Sequence, residues 1–308
     1  MLWLQLLVYL AVLVFFVAVA ARIWKYASAP VHLRWELYPV TADRDKPYGG
    51  SYYEEMEWWK DLPKKNLFHE LLAMGEEILF LKGVYENNRS LWFFSYPFHL
   101  GLYVLVGLVG LLVVGGLAEM VGIPVAFGSP SWIGVILYCL TMLAGYVGLT
   151  LALLGCIGLL VKRLQDPALK PMTSPADYCN LVYILLLLAV SGASWLFADP
   201  TFAAARQIAR SLITFQPLPE TSSIVMLELI LFAVFLLYMP FTRMTHFFAK
   251  YFTYHQVRWE DSPNLPGGQW EGKIQEVLNF GVSWKAPHIQ TGKTWAQVAT
   301  EMPQEEQS

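Results

Sequence analysis

The chain has 308 residues, of which 56% are hydrophobic and 15% are charged, and its mean hydropathy is +0.43. This composition excludes an ordinary soluble domain, which carries more charge, and favours a membrane protein with several spans. The net charge of −3 excludes little, because in membrane proteins the positions of Lys and Arg matter more than their sum.

Five segments are apolar over the roughly 20 residues that a helix needs to cross a bilayer. They are Leu2–Ile23, Leu91–Met120, Trp132–Val161, Tyr178–Phe197 and Ile224–Ala249. No positive charge precedes the first segment and Arg22 and Lys25 follow it, which is the reverse of a secretory signal. We therefore expect an all-α integral membrane protein with five transmembrane helices, the first of them retained.

The distribution of positive charge predicts the orientation of these helices. Lys and Arg are frequent after the first segment, after the third and in the tail, whereas the opposite loops hold only Arg206 and Arg210. The positive-inside rule then places the N-terminus outside and the C-terminus in the cytoplasm, which an odd number of spans requires.

Four regions follow along the chain. Residues 1–25 form the first transmembrane helix, 26–90 a cytoplasmic insert, 91–250 a four-helix membrane core and 251–308 a cytoplasmic tail. The insert contains apolar residues near helical spacing, which predict an amphipathic helix on the membrane surface or against a partner; they are Leu67, Phe68, Leu71, Leu72, Ile78 and Leu79. The tail is polar with scattered tryptophans and is expected to dock a partner subunit.

Two of the six histidines lie inside predicted spans. His99 enters the second span from the cytoplasmic side and His246 leaves the fifth on that side, so their depths match. Two imidazoles at one depth can ligate haem iron from both faces, but two interfacial histidines bound to headgroups or carbonyls fit equally well. The other histidines are expected at the surface: His32, His69, His255 and His288.

Three stretches resemble the cytochrome b (gamma) subunit of respiratory nitrate reductase. "YMPFTRMTHFFAKYFTY" is similar to that family's last helix, "YPFHLGLYVLVGLVGLLV" to its second, and "LLVKRLQDPALKPMTSPADYCNLVYILLLL" to the loop between its third and fourth. The N-terminal "APVHLRWELYPV", the insert and "PHIQTGKTWAQV" depart from that pattern. They look more like the cytochrome b subunits of sulfate-reducer and heterodisulfide-reductase-like complexes.

The resemblance implies that His99 and His246 are the axial ligands of a haem b. Arg243, three residues before His246, could pair with a haem propionate or with lipid headgroups. The ligands of the family's second haem fall on Val109 and Glu228, which cannot form a low-spin pair. We therefore expect one haem b per chain.

Glu228 lies eighteen residues before His246, which on one continuous helix is the same face, about 27 Å away. A carboxylate there could accept a proton from quinol. It could equally be a residue at the water boundary beside Thr221, Ser222 and Ser223.

The sequence and the resemblance together predict a subunit that passes electrons between a quinone pool, such as menaquinone, and a cytoplasmic iron–sulfur subunit that resembles heterodisulfide reductase. It would lie in a bacterial or archaeal cytoplasmic membrane. The resemblance also allows further membrane subunits and multihaem cytochromes c as partners. We expect no nucleic acid among the partners. The alternative is a haem-free membrane anchor for a soluble redox subunit. A transporter is disfavoured because charged residues in mid-span and paired broken helices are lacking.

Overall fold

The computed structural model describes residues 1–29, 66–256, 266–284 and 291–301. The helices in these residues, numbered in chain order, are α1 (Leu2–Ala27), α2 (Leu67–Phe80), α3 (Lys82–Asn87), α4 (Arg89–Met120), α5 (Trp132–Gln165), α6 (Pro175–Phe197), α7 (Ala203–Ile213), α8 (Ser223–Tyr238), α9 (His246–Lys250), α10 (Gln269–Leu278) and α11 (Trp295–Thr300).

Five helices are long and apolar enough to cross a membrane, which confirms the predicted all-α fold with five spans. They are α1, α4, α5, α6 and the segment Ser223–Phe241 that contains α8. Helix α6 begins three residues earlier than predicted. Pro175 occupies its first turn, and Ser174 and Asp177 form a capping box that satisfies its first backbone amides.

The fifth span ends earlier than predicted. A continuous helix from Ile224 to Ala249 was expected, but α8 ends at Tyr238 and a 3₁₀ turn, Met239–Phe241, follows it. Pro240 is the cause, because its ring has no N–H to donate and clashes with the preceding turn of an α-helix. Thr242 is then extended (φ −110°, ψ 177°), and its hydroxyl donates to the Met239 carbonyl at 2.9 Å.

The described residues belong to two compact units: residues 1–18 with 75–243, and residues 19–74 with 244–308. In the first, α4 and α5 approach closely through small residues. A Cβ added at Gly101 would lie 2.4 Å from the Ala152 nitrogen, and one at Gly155 would lie 2.4 Å from the Phe98 nitrogen. Glycines at these contacts let the two backbones pack without a hydrophobic driving force between them.

A short helix, α7, lies in the loop between the last two spans of the first unit. No helix was expected in this loop. Helix α7 follows Phe202, whose φ is +57° and whose side chain is fully buried. Ile208 of α7 packs in one cluster with Leu4 of α1 and Val225 of α8. On another side, Gly116 of α4 faces the backbone of Arg206 and Arg210.

The second unit contains the end of α1 and the tail. Arg22 donates to the Thr245 hydroxyl at 2.9 Å, and Tyr26 stacks on Phe252 with 5.9 Å between ring centroids. In the tail, the buried Val282 donates its backbone N–H to the Lys293 carbonyl, so that α10 and α11 are tied by a short backbone pairing. The predicted tail thus folds locally, although its role in docking stays a prediction.

Candidate functional site

His99 lies in α4 with its ring fixed by the preceding turn. Its Nδ1 donates to the backbone carbonyl of Ser95 at 2.7 Å, and the Ser95 hydroxyl lies 3.4 Å from the same nitrogen. Donation to a carbonyl places the proton on Nδ1, so the neutral ring carries its lone pair on Nε2. This is the tautomer and the outer hydrogen bond that metal-bound histidines commonly have.

His246 is the first residue of α9, and its side chain is exposed. Residues Arg243–Thr245, which directly precede it, form a 3₁₀ turn. The break at Pro240 also removes the continuous helix on which Glu228 and His246 were expected to share a face. His99 belongs to the first unit and His246 to the second.

The Arg243 side chain is 74% exposed and forms an ion pair with Asp177 Oδ2 at 3.5 Å. Asp177 is the acidic member of the capping box of α6, so Arg243 is tethered near the start of that helix. An exposed pair of this length contributes little to stability. The guanidinium of Arg243 is of the chemical type that pairs with a carboxylate such as a propionate.

The expectation for His255 is wrong, because its side chain is only 3% exposed. It is the last residue of a π-helical stretch, Tyr251–His255. His69 is half-buried, and its Nδ1 lies 3.0 Å from Asn66 Nδ2. His32 and His288 lie outside the described residues.

Glu228 lies in α8 and faces α6. Its Oε1 accepts a hydrogen bond from the indole nitrogen of Trp195 at 2.8 Å, and the Ser191 and Ser194 hydroxyls lie beside the carboxyl. Both serines are buried, and the Ser194 hydroxyl has no hydrogen bond of ordinary geometry. The structure thus brings Glu228 together with a polar cluster on α6, which sequence reasoning missed because those residues lie more than 30 positions away.

Val109, which we expect at the position of the family's second haem ligand on α4, is 44% exposed. Near the end of α4, the side chain of Arg206 attaches α7 to that helix. Arg206 is only 3% exposed. The guanidinium donates to Glu119 at 3.0 Å, to the Thr201 carbonyl at 2.9 Å and to the Val125 carbonyl at 3.0 Å. The segregation of apolar and polar residues at helical spacing in "AAARQIARSLI" is the sequence pattern that indicates this helix.

The donors fit a haem iron in their chemistry. Imidazole nitrogen is the usual axial ligand of b-type haem, and the Ser95 carbonyl gives His99 the required tautomer.

Comparison with known families gives one match. The family described as nitrate reductase gamma subunit matches residues 83–260, more than half of the chain, and this range includes His99, Glu228, Arg243 and His246. No curated protein matches the chain. The members of the family are membrane cytochromes b of respiratory redox complexes. With five spans and this match, the chain belongs to the nitrate reductase gamma subunit family.

Proposed function

We propose that the chain carries electrons between a quinone pool, such as menaquinone, and an iron–sulfur subunit in the cytoplasm, through one haem b held by His99 and His246. The observation that carries the proposal is the fixed tautomer of His99 within the family match. Haem, when bound, supplies the one-electron carrier, and the protein supplies ligands, orientation and surroundings.

Each residue has a separate task in this proposal. Ser95 holds the ring of His99 through its carbonyl, which fixes the ring plane and leaves the lone pair of the neutral ring on Nε2. Pro240 ends α8, and the chain then turns before His246, so the second imidazole is presented from a short separate helix. Arg243 offers a guanidinium that pairs with carboxylates.

The packing of α7 supports one haem rather than two. Residues of α7 contact α4 at Gly116 and α8 at Val225, the two helices that carry the family's second ligand pair. On these two helices, the two expected ligand positions hold Val109 and Glu228. The first has no donor atom and the second is bonded to Trp195.

Glu228 is the group we assign to proton acceptance from quinol. Oxidation of a quinol releases protons, and a positioned carboxylate can take one from the reacting hydroxyl. The Trp195 indole holds one carboxyl oxygen, while the neighbouring Ser191 and Ser194 hydroxyls can bind a quinone oxygen or relay the proton.

Replacement of the histidines tests the ligand assignment. In the purified chain, His99→Ala and His246→Ala should each abolish the reducible low-spin b-type spectrum. The matched control is His69→Ala, because its "NLFHE" context imitates that of His99. His255→Ala should keep the spectrum. Loss of haem in His255→Ala together with its retention in His246→Ala would transfer the second ligand to His255 and overturn the assignment.

The other candidate function is a haem-free anchor that holds a soluble redox subunit through the insert and tail. It is favoured by the exposed tryptophans of the tail, Trp284 and Trp295. A purified chain without any reducible b-type band, obtained from cells that make haem, would support the anchor.

A further inference from the structure

We propose that α2 is an interfacial helix whose apolar face lies in the bilayer, at the boundary between headgroups and acyl chains. None of the residues of this surface is among those proposed for the haem and quinone sites. In this placement, the exposed side of α2 contacts lipid and not a protein partner.

The apolar residues of α2 form one continuous exposed face. Leu72 and Leu79 are seven residues apart and therefore lie on one side of the helix. Glu70 is nine residues before Leu79, which is about 2.5 turns and hence the opposite side. The face consists of Leu67, Phe68, Leu71, Leu72, Ile78 and Leu79, each between 45% and 71% exposed.

Two hydrogen bonds attach the end of α2 to a membrane span. The last carbonyls of a helix have no partner within it. Here the Tyr103 hydroxyl donates to the Ile78 carbonyl at 2.9 Å, and the Trp92 indole donates to the Phe80 carbonyl at 2.8 Å. Both donors belong to α4, so the end of α2 lies against that span.

The position of Tyr103 along α4 gives the depth. Helix α4 has 32 residues, which is about 48 Å, whereas the hydrocarbon core is about 30 Å thick. Glu119 pairs with Arg206 and marks one polar boundary. About 20 residues before it, near Phe98, lies the other boundary. Tyr103 is thus about 7 Å inside, and its side chain leans back toward the start of α4, so the Ile78 carbonyl lies close to the boundary.

The aromatic side chains at this level fit the same boundary. Trp92 stacks on Tyr96 with 4.8 Å between ring centroids, and Phe93 beside it is 67% exposed. Trp and Tyr are enriched where membranes meet water, because their rings are apolar and their N–H and O–H groups are not. Trp92, Phe93 and Tyr96 are therefore expected at the same boundary as the end of α2.

The acidic side of α2 is turned toward α3. Glu76 pairs with Lys82 at 2.6 Å, and Glu77 accepts the Gly83 backbone N–H at 2.9 Å. The hydrogen bond that Lys82 donates to Glu76 raises the pKa of the Lys82 ammonium group. Because α2 itself contains no Lys or Arg, its insertion relies on apolar area and needs no anionic lipid.

Nitroxide labels on the full-length chain in phosphatidylcholine nanodiscs test this placement. The exposed native thiols Cys139 and Cys179 are first replaced by serine. Labels at Leu72→Cys and Leu79→Cys should be relaxed by oxygen and protected from a water-soluble nickel chelate. The control, Glu70→Cys, should show the reverse, with an oxygen-to-nickel ratio several-fold lower. Adding phosphatidylglycerol should leave all three ratios unchanged.

Two results would overturn the proposal. One is nickel access at Leu72→Cys and Leu79→Cys equal to that at Glu70→Cys. The other is shielding of these labels only after a soluble partner subunit is added, because a protein would then cover the face. Should either variant fail to give a monodisperse protein, Leu71→Cys on the same face replaces it.

Discussion

At the scale of single residues, the hydrogen bond between Glu228 and Trp195 defines what the carboxyl can do. The indole N–H holds one oxygen and leaves the carboxyl group oriented by α6. A half-buried carboxyl within a span is costly unless it is bonded, neutral or functional, and here it is surrounded by donors on the neighbouring helix. The same arrangement suits a group that exchanges a proton with a quinone hydroxyl.

We expect Glu228→Gln to keep the haem and to slow its reduction by quinol about 10²-fold. The amide has nearly the same shape and can still accept the Trp195 hydrogen bond, but it cannot take up the proton. Stopped-flow absorbance at the b-type band measures the rate. The control is Glu220→Gln, an exposed carboxyl in the preceding loop. Unchanged kinetics across pH would make Glu228 a boundary residue and would place the quinone near His99 and Arg243.

At the scale of helices, the attachment of α7 to the first unit depends on one buried cation, the guanidinium of Arg206. Arg206 joins Glu119 on α4 to two backbone carbonyls, Thr201 and Val125, and its methylenes lie against Gly115. A larger residue at Gly115 would collide with the Arg206 side chain, since an added Cβ would be 2.8 Å from its Cδ. The glycine and the arginine therefore have to be present together.

Removing this cation should destabilise the protein. Arg206→Met keeps most of the side-chain volume but leaves Glu119 without its partner and two carbonyls without donors. We expect a loss of about 3 kcal/mol in the free energy of unfolding, measured in mixed micelles. Arg210→Met, one turn later on the same helix and half-exposed, is the control and should lose less than about 1 kcal/mol. Equal losses would show that Arg206 does not anchor α7.

The sequence predicted the elements that depend on local pattern and missed those that depend on tertiary contacts. The five spans follow from apolar runs, and they are confirmed. The break at Pro240 could have been predicted from the residue type, but the apolar stretch around it concealed the stop. Helix α7 is short, and its Arg206 pairs in the interior with Glu119, which lies 87 residues earlier in the chain. A local sequence pattern therefore does not indicate the role of Arg206. The Trp195 partner of Glu228 was hidden for the same reason.

At the scale of the whole molecule, we expect the tail to dock the proposed iron–sulfur subunit. The rings of Trp284 and Trp295 lie 6.4 Å apart, and both are exposed. Large aromatic side chains commonly supply much of the energy of protein interfaces. We also expect Trp58 and Trp59 of the insert to contribute to docking, but these two residues lie outside the described residues.

We expect the double substitution Trp284→Ala and Trp295→Ala to keep the haem and to release the iron–sulfur subunit during affinity purification. This double substitution tests the tryptophans more specifically than a deletion of residues 284–308 would. The deletion would also remove Lys293, whose carbonyl pairs with Val282 and supports the local fold of the tail. Trp132→Ala, exposed at the start of α5, is the control. A full complement of the subunit on the double variant would show that the tail tryptophans are dispensable.

The amount of haem per chain tests the central claim most directly. Extraction into alkaline pyridine and quantification of the haemochrome, divided by the protein concentration, should give one haem b per chain. Val109 and Glu228 at the second ligand positions, together with α7 packed between the helices that carry them, account for that number. Two haems per chain would contradict the assignment of these positions, and none would contradict a cytochrome.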